Sequence, residues 1–351
     1  MDKKFGSGPF REILRHISYE HLAAGVSGGV VSTLILHPLD LVKIRFQVNE
    51  GISVAGVSTP KRPVYRGIGH AFRSIYRSNG FTGLYQGVTP NVWGAGLSWG
   101  FYFFFYNTIK VYMQGGDSKT ELGPLKHMLA ASEAGLLTLI LTNPIWVVKT
   151  RLCLQYDLPP SKTASQSGTR YNGMVDALIK VYRNEGLRGL YKGFIPGVFG
   201  ISHGALQFMA YEELKNLYNN HYQRPIDYRL SSLEYLTFAA LSKLFAASIT
   251  YPYQVVRSRQ QDQHRTYNGL KDIIAQIYRF EGMRGFYKGS IVYFGHVTPN
   301  ICIVFLMYEY IVNHKVLNGL FGRIEQKLVD QEKRSRKTSD LIEEPNVIWD
   351  S

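Results

Sequence analysis

Long apolar stretches alternate along the chain with shorter segments in which basic and apolar residues interleave. Residues 22–36 (LAAGVSGGVVSTLIL) are almost wholly apolar, and the stretch containing WGFYFFFYNTIKVY is densely aromatic. The pattern predicts long helices over 19–48, 87–113, 124–155, 193–219, 231–262 and 289–315. Between them, Ile68, Phe72, Ile75 and Tyr76 recur at helical spacing with Arg73 and Arg77 interleaved. That arrangement suits a short amphipathic helix lying in an interface, and segments 67–78, 173–184 and 269–280 share it. Within the first long helix, Gly25 and Gly29 form a small-xxx-small pair that lets a neighbouring helix come close.

The alternation is a threefold repeat with three landmarks. A proline precedes a basic pair at Pro38…Lys43-Ile-Arg45, Pro144…Lys149-Thr-Arg151 and Pro252…Arg257-Ser-Arg259. Tyr-x-Gly follows at Tyr65–Gly67, Tyr171–Gly173 and Tyr267–Gly269, then Tyr-[Gln/Lys]-Gly at Tyr85–Gly87, Tyr191–Gly193 and Tyr287–Gly289. From repeat one to repeat two all three landmarks shift by 106 residues (38 to 144, 65 to 171, 87 to 193). From two to three the prolines shift by 108 (144 to 252) and the later landmarks by 96 (171 to 267, 193 to 289). The shortening falls in one loop, around 156–170, as a tandem structural repeat tolerates. The chain divides into an N-terminal segment 1–18, repeats over 19–115, 123–220 and 231–315, and a polar, charged tail over 320–351 for which disorder is expected.

Composition narrows the class. Hydrophobic residues make up 45% of the chain, yet mean hydropathy is −0.12, too polar for helices facing lipid on every side. A membrane bundle around a wet cavity reconciles the two figures. The net charge of +14 fits an anionic membrane surface or an anionic substrate, and nucleic acid is not expected. Two cysteines, Cys153 and Cys302, provide neither a disulfide framework nor metal-ligand spacing. An enzyme is disfavoured: there is no GxGxxG after a strand, no Walker A motif and no His/Cys metal cluster. The first residues lack a long apolar run, so a cleaved secretory signal is not expected.

Pro38, Pro144 and Pro252 sit inside apolar helices, where each removes a backbone hydrogen bond and kinks the helix. Three kinks let three helices converge at one end of a bundle. Asp40 and Lys43 flank the first kink, and charges at such a depth need an interior partner. The repeat predicts a ring in which the acidic position of one repeat meets the basic position of the next. Lys243, nine residues before Pro252 in an apolar run, is expected to face a cavity and an anion. Glu133 lies in a comparable run; a proton site and a helix–helix contact both stay open for it.

PLDLVKIRFQ, NPIWVVKTRL and YPYQVVRSRQ, with EGLRGLYKG and EGMRGFYKG, resemble the mitochondrial carrier family over residues 19–315. The resemblance implies an all-α membrane protein of six transmembrane helices in three pseudo-threefold repeats, each with a short matrix-side amphipathic helix. It further implies a multi-pass monomer of the mitochondrial inner membrane working by alternating access, with no cofactor. At the matrix gate the acidic positions hold Asp40, Trp146 and Gln254, and the basic ones Lys43, Lys149 and Arg257. One ion pair, Asp40–Lys149, is therefore expected, with Trp146 offering its ring to Arg257 and Gln254 bonding Lys43. Gln47 and Gln261 are expected to brace the gate from below, with Cys153 at the third such position. The cytoplasmic gate falls on Asn107, Lys110, Glu212, Lys215 and Glu309.

By the same resemblance, the central substrate site falls on Gly94 beside Trp93, on Gly200 beside Ile201, and on His296. A Gly-Ile pair implies an apolar slot of the kind associated with adenine-containing substrates, and Trp93 either stacks on a planar ring or faces lipid. Tryptophan in the second proline motif and Gln254 in the third resemble the branch that carries FAD and folate, as transported substrates. Another nucleotide, NAD or a pyrimidine nucleotide, is the alternative, and a proton-leak carrier a more distant one. The helix N-termini at Gly87, Gly193 and Gly289 offer free N–H groups that suit phosphate, for which the resemblance implies cardiolipin. Glycine that merely permits a tight turn accounts equally well for any one of them.

Overall fold

The computed structural model describes residues 19–49, 63, 65–115, 123–156, 170–223, 225 and 230–313, with side chains from Ser27 onward except at 124, 232, 308, 309 and 311–313. The described residues are helical, without strands. In chain order the helices are α1 (Tyr19–Gln47), α2 (Ile68–Gly83), α3 (Val88–Met113), α4 (Pro124–Cys153) and α5 (Met174–Leu190). Then come α6 (Phe194–Phe199), α7 (Ser202–His221), α8 (Ser232–Gln261) and α9 (Leu270–Glu281). A 3-10 turn (Met283–Tyr287) and α10 (Ser290–Asn313) complete the set. Residues Gly29–Ile303 form one compact unit; those up to Gly28 and from Val304 form another.

The pattern of apolar stretches places these elements well, with two differences. The short helices α2 and α5 run past Gly80 and Gly186, glycines at φ 64° and 66° that turn the chain into one more helical turn. Repeat three reaches the same geometry at Gly282 (φ 64°) but continues as the 3-10 turn. The stretch over 193–219 is broken into α6 and α7 at Gly200–Ile201.

Pro38, Pro144 and Pro252 lie inside α1, α4 and α8, as their apolar surroundings require. Three separate apolar clusters hold the helix ends beyond them. Each joins the residues after a proline to the same repeat's short helix: Leu41, Val42 and Ile44 to Ala71 and Ile75; Val148 and Leu152 to Ala177 and Val181; Val255 and Val256 to Ile273 and Ile277. Helix α3 packs on α4, and α6 and α7 pack on α8.

The close-approach glycine is Gly28 rather than Gly29. A methyl on Gly28 would meet the Val304 carbonyl at 3.2 Å, whereas one on Gly29 would meet nothing within 4 Å. Gly25 and Glu309 are positions at which no side-chain surroundings are described, and the segments 1–18 and 320–351 lie outside the described residues.

Large apolar side chains are exposed along every long helix: Leu34 and Ile35 on α1, Trp99 and Phe103 on α3, Leu137 and Leu141 on α4. Phe208 and Met209 on α7, Phe245 and Ile249 on α8, and Ile291 on α10 continue the pattern. Among the described residues two segments, Leu125–Cys153 and Met283–Met307, are long and apolar enough by composition to cross a membrane.

Candidate functional site

The three proline motifs build a ring of contacts from one repeat to the next. At its centre Asp40 takes Lys149 Nζ at 2.5 Å and Lys43 Nζ at 2.8 Å, with all three side chains at most 15% exposed. The pair between repeats that the sequence predicts is thus formed, but Lys43 also turns back onto the same carboxylate.

Three expected contacts differ. The Trp146 ring lies under Lys149, 5.2 Å from Nζ to the centroid, and Arg257 donates instead to Asn143 Oδ1 at 3.2 Å. Lys43 lies over the Tyr293 ring at 5.1 Å, and Gln254 interacts with the Tyr293 hydroxyl rather than with Lys43. The cause is common to both: with one carboxylate for three cations, two lysines converge on Asp40 and the remaining groups find neutral or aromatic partners.

Outside this ring lies a second one. Seven residues after each proline, an arginine donates its Nε to a backbone carbonyl nine residues after the next repeat's proline. Arg45 donates to Cys153 O at 3.0 Å, Arg151 to Gln261 O at 3.3 Å, and Arg259 to Gln47 O at 3.0 Å. Arg151 also forks onto Glu185, and Arg259 onto Glu281, with distances of 2.5–2.8 Å. Lys192 and Lys288 complete two Arg–Glu–Lys triads at 2.7 and 2.6 Å. Burial works to raise the pKa of Glu185; hydrogen bonds and charge from Arg151 and Lys192 outweigh it and hold the carboxyl at about 2. In repeat one Asn79 stands where the other two have glutamate, and Gln86 where they have lysine. Arg45 there meets Tyr65 Oη at 3.0 Å and Gln86 Oε1 at 2.9 Å, and lies over the Tyr156 ring.

Gln47 and Gln261 act at the same joints. Gln47 donates to Tyr251 Oη at 3.1 Å and accepts from Ser258 at 2.7 Å. Gln261 accepts from Thr150 at 2.6 Å and donates to Lys192 O at 3.2 Å. At the third joint, Ile44 and Cys153 occupy the corresponding positions and share an apolar cluster.

One set went unread in the sequence: the residue before each proline. His37 bonds Gln86 O at 2.9 Å, Asn143 donates to Lys192 O at 3.5 Å and more closely to Leu190 O, and Tyr251 donates to Lys288 O at 3.0 Å. Three unlike side chains thus reach the same carbonyl of each repeat's Tyr-[Gln/Lys]-Gly landmark. The threefold register alone could have found them, since all stand at Pro−1.

The positions expected to touch substrate divide. Gly94 is buried, and a methyl there would meet Ile145 and Trp146 at 3.2 and 3.4 Å; one on Gly200 would meet Tyr253 at 2.9 Å. Both glycines are therefore seats for rings from the next repeat rather than an open slot. Ile201 lies against Gly135, and Trp93 is 60% exposed. His296 lies within electrostatic range of Asp40, Lys43, Lys149 and Lys243, so the structure does bring it and Lys243 toward the ring.

At the other end of the long helices, Asn107, Lys110, Glu212 and Lys215 are half-buried and enter no ion pair among the described residues. Glu133 is exposed. Among the described residues no cluster of His, Cys, Asp and Glu could hold a metal ion.

Gly87, Gly193 and Gly289 all adopt left-handed backbone, at φ 81°, 78° and 82°. A methyl on them would strike Cys153 Sγ at 2.8 Å, Arg257 Cγ at 2.9 Å and Lys43 O at 2.9 Å. Glycine is demanded twice over at these positions, by φ and by space.

Comparison with known proteins accords with this threefold construction. The model of the mitochondrial carrier protein family matches residues 15–117, 120–222 and 228–318. The chain is 39% identical over 302 residues to the chloroplastic folate transporter 1 of Arabidopsis thaliana, covering 83% of this chain and 94% of that protein. It is 35% identical to the chloroplastic nicotinamide adenine dinucleotide transporter 1 of the same plant, covering 82% and 89%. With the mitochondrial FAD carrier protein of Saccharomyces cerevisiae it shares 31% identity over 83% of this chain and 95% of that one. The chain belongs to the mitochondrial carrier family and is a transporter, not an enzyme.

Proposed function

We propose that this protein is a six-span carrier of the mitochondrial inner membrane that moves FAD or folate by alternating access through a central cavity. The observation that carries the reading is its likeness to a folate transporter over 83% of this chain and 94% of that protein. Likeness to an FAD carrier supports the same reading, since both substrates are planar heteroaromatics with anionic tails. The exposed apolar side chains on the long helices meet lipid, while the ring residues face the axis.

The ring around Asp40 is the matrix gate, closed by the pairs to Lys149 and Lys43 and braced by Gln47 and Gln261. Lys110, Glu212 and Lys215, which enter no ion pair among the described residues, belong to a cytoplasmic gate, and Asn107 and Glu309 lie in the same motifs. The protein works as a monomer, and cardiolipin headgroups bind at the helix starts beside Gly87, Gly193 and Gly289.

A second reading, NAD as substrate, is favoured by the NAD transporters among the relatives. Counterflow of labelled FAD, folate and NAD in proteoliposomes separates the two. FAD or folate exchange is the expected result, NAD exchange alone transfers the assignment to the second reading, and proton conductance without any counterflow overturns both.

A further inference from the structure

Helix α8 carries a stripe of residues spaced by seven, Lys243, Thr250 and Arg257, so all three lie on one face, each about 10 Å from the next along the axis. The α6–α7 rod packs against this face through small residues. Gly193 and Gly197 receive Arg257, and Gly200 receives Tyr253. One turn beyond Gly200 the first large polar side chain on the rod is His203, and its Nδ1 lies 2.9 Å from Thr250 Oγ1.

The hydroxyl proton of Thr250 is already committed to the Ala246 carbonyl at 2.7 Å. Thr250 Oγ1 can therefore only accept from His203, which places the imidazole proton on Nδ1. The His203 ring also bonds the Ala246 carbonyl, an acceptor that likewise calls for a ring N–H; with the proton on Nδ1, Nε2 carries the lone pair. His203 is only partly buried. The Lys243 ammonium acts electrostatically on His203 and on His296, and it makes no hydrogen bond or ion pair among the described residues. A half-buried cation without an acid, beside an imidazole fixed as an acceptor, is a costly arrangement for the empty protein.

We infer that His203 and Lys243 form a two-point recognition site for a planar heteroaromatic anion. His203 Nε2 accepts a hydrogen bond from a ring N–H or exocyclic amino group, and Lys243 binds the anionic chain. Thr250 is a positioning residue that acts through the His203 tautomer. The inference rests on the carrier reading above and names the groups that select the substrate, whichever nucleotide or pterin it is.

The test measures KM and maximal rate in proteoliposomes for FAD, folate and NAD, together with thermal stabilisation by each substrate and by inorganic pyrophosphate, a bare anion. His203→Leu is expected to raise KM at least fivefold for the transported heteroaromatic while leaving stabilisation by pyrophosphate within twofold. Lys243→Met is expected to weaken both at least fivefold, with Lys243→Arg restoring most of the loss. Thr250→Val, which frees the tautomer, is expected to raise KM two- to threefold. Melting of the empty variants identifies any that fail to fold, in which case His203→Gln and Lys243→Gln serve as the reading pair. If NAD alone is transported and His203→Leu still raises its KM, the FAD/folate reading fails and this site stands. An unchanged KM in His203→Leu for every transported substrate, or equal losses for heteroaromatic and pyrophosphate, overturns it.

Discussion

The joint between repeats one and two and the other two joints solve one packing problem with different chemistry. At the latter, Arg151 and Arg259 fork onto Glu185 and Glu281, Lys192 and Lys288 close the triads, and Thr150 and Ser258 bond Gln261 and Gln47. At the former every corresponding partner has changed together: Asn79 for glutamate, Gln86 for lysine, Ile44 for the hydroxyl and Cys153 for glutamine. The acid and the lysine vanish as a pair, so each corner keeps one net positive charge, and the hydroxyl and amide vanish as a pair, so neither is stranded. A buried polar group is retained with its partner or lost with it, because the orphan is what costs free energy.

This contrast can be broken in order of effect. Asp40 serves two lysines at the centre, so Asp40→Asn leaves both without a carboxylate and is expected to cut initial uptake in proteoliposomes by tenfold or more. Near-normal uptake would remove Asp40 from the gate. At the corners, Glu281 is 6% exposed and Glu185 29%. Glu281→Gln is expected to destabilise by about 3 kcal/mol, read as a lowered Tm in detergent. Glu185→Gln is expected to cost about 1 kcal/mol, because solvent screens that pair.

The Glu185 corner also has a pH signature. Its carboxyl is held at about 2 against an ordinary 4.5, so its contribution is complete above pH 4.5 and is lost as pH falls from there toward 2. Thermal melts of Glu185→Gln should show a shallower acid slope over that window than the parent protein. The smallest effect is the most diagnostic. Asn79→Glu combined with Gln86→Lys rebuilds a triad at the first joint and should leave stability within about 1 kcal/mol of the parent, whereas Gln86→Lys alone places a second cation beside Arg45 and should cost more. Equal costs for the single and double variants would show that the corners are not equivalent.

The sequence disclosed the repeat, the helices and Asp40–Lys149, because each rests on periodicity or on opposite charge in register. It did not disclose which way Lys43 turns or that Arg257 meets Asn143, since a ring with two acids missing has several neutral solutions of similar energy. Nor did it disclose that Gly94 and Gly200 are filled by Trp146 and Tyr253. A glycine seven residues into a helix reads alike whether it opens a slot or seats a neighbour's ring. His37, Asn143 and Tyr251 escaped notice because they share no chemical class, only a geometric duty.

The three left-handed glycines that open α3, α6 and α10 have a consequence for conformational equilibrium. Each is pressed against the neighbouring repeat in the arrangement that gathers the proline ends together. A methyl added there acts as a wedge, penalising this arrangement by steric overlap beyond the backbone strain that any conformation with the same φ would bear. Alanine at Gly289, whose nearest neighbour is the rigid Lys43 carbonyl rather than a yielding side chain, becomes a lever on populations, tilting the protein toward states in which the ring has parted without altering any charged group.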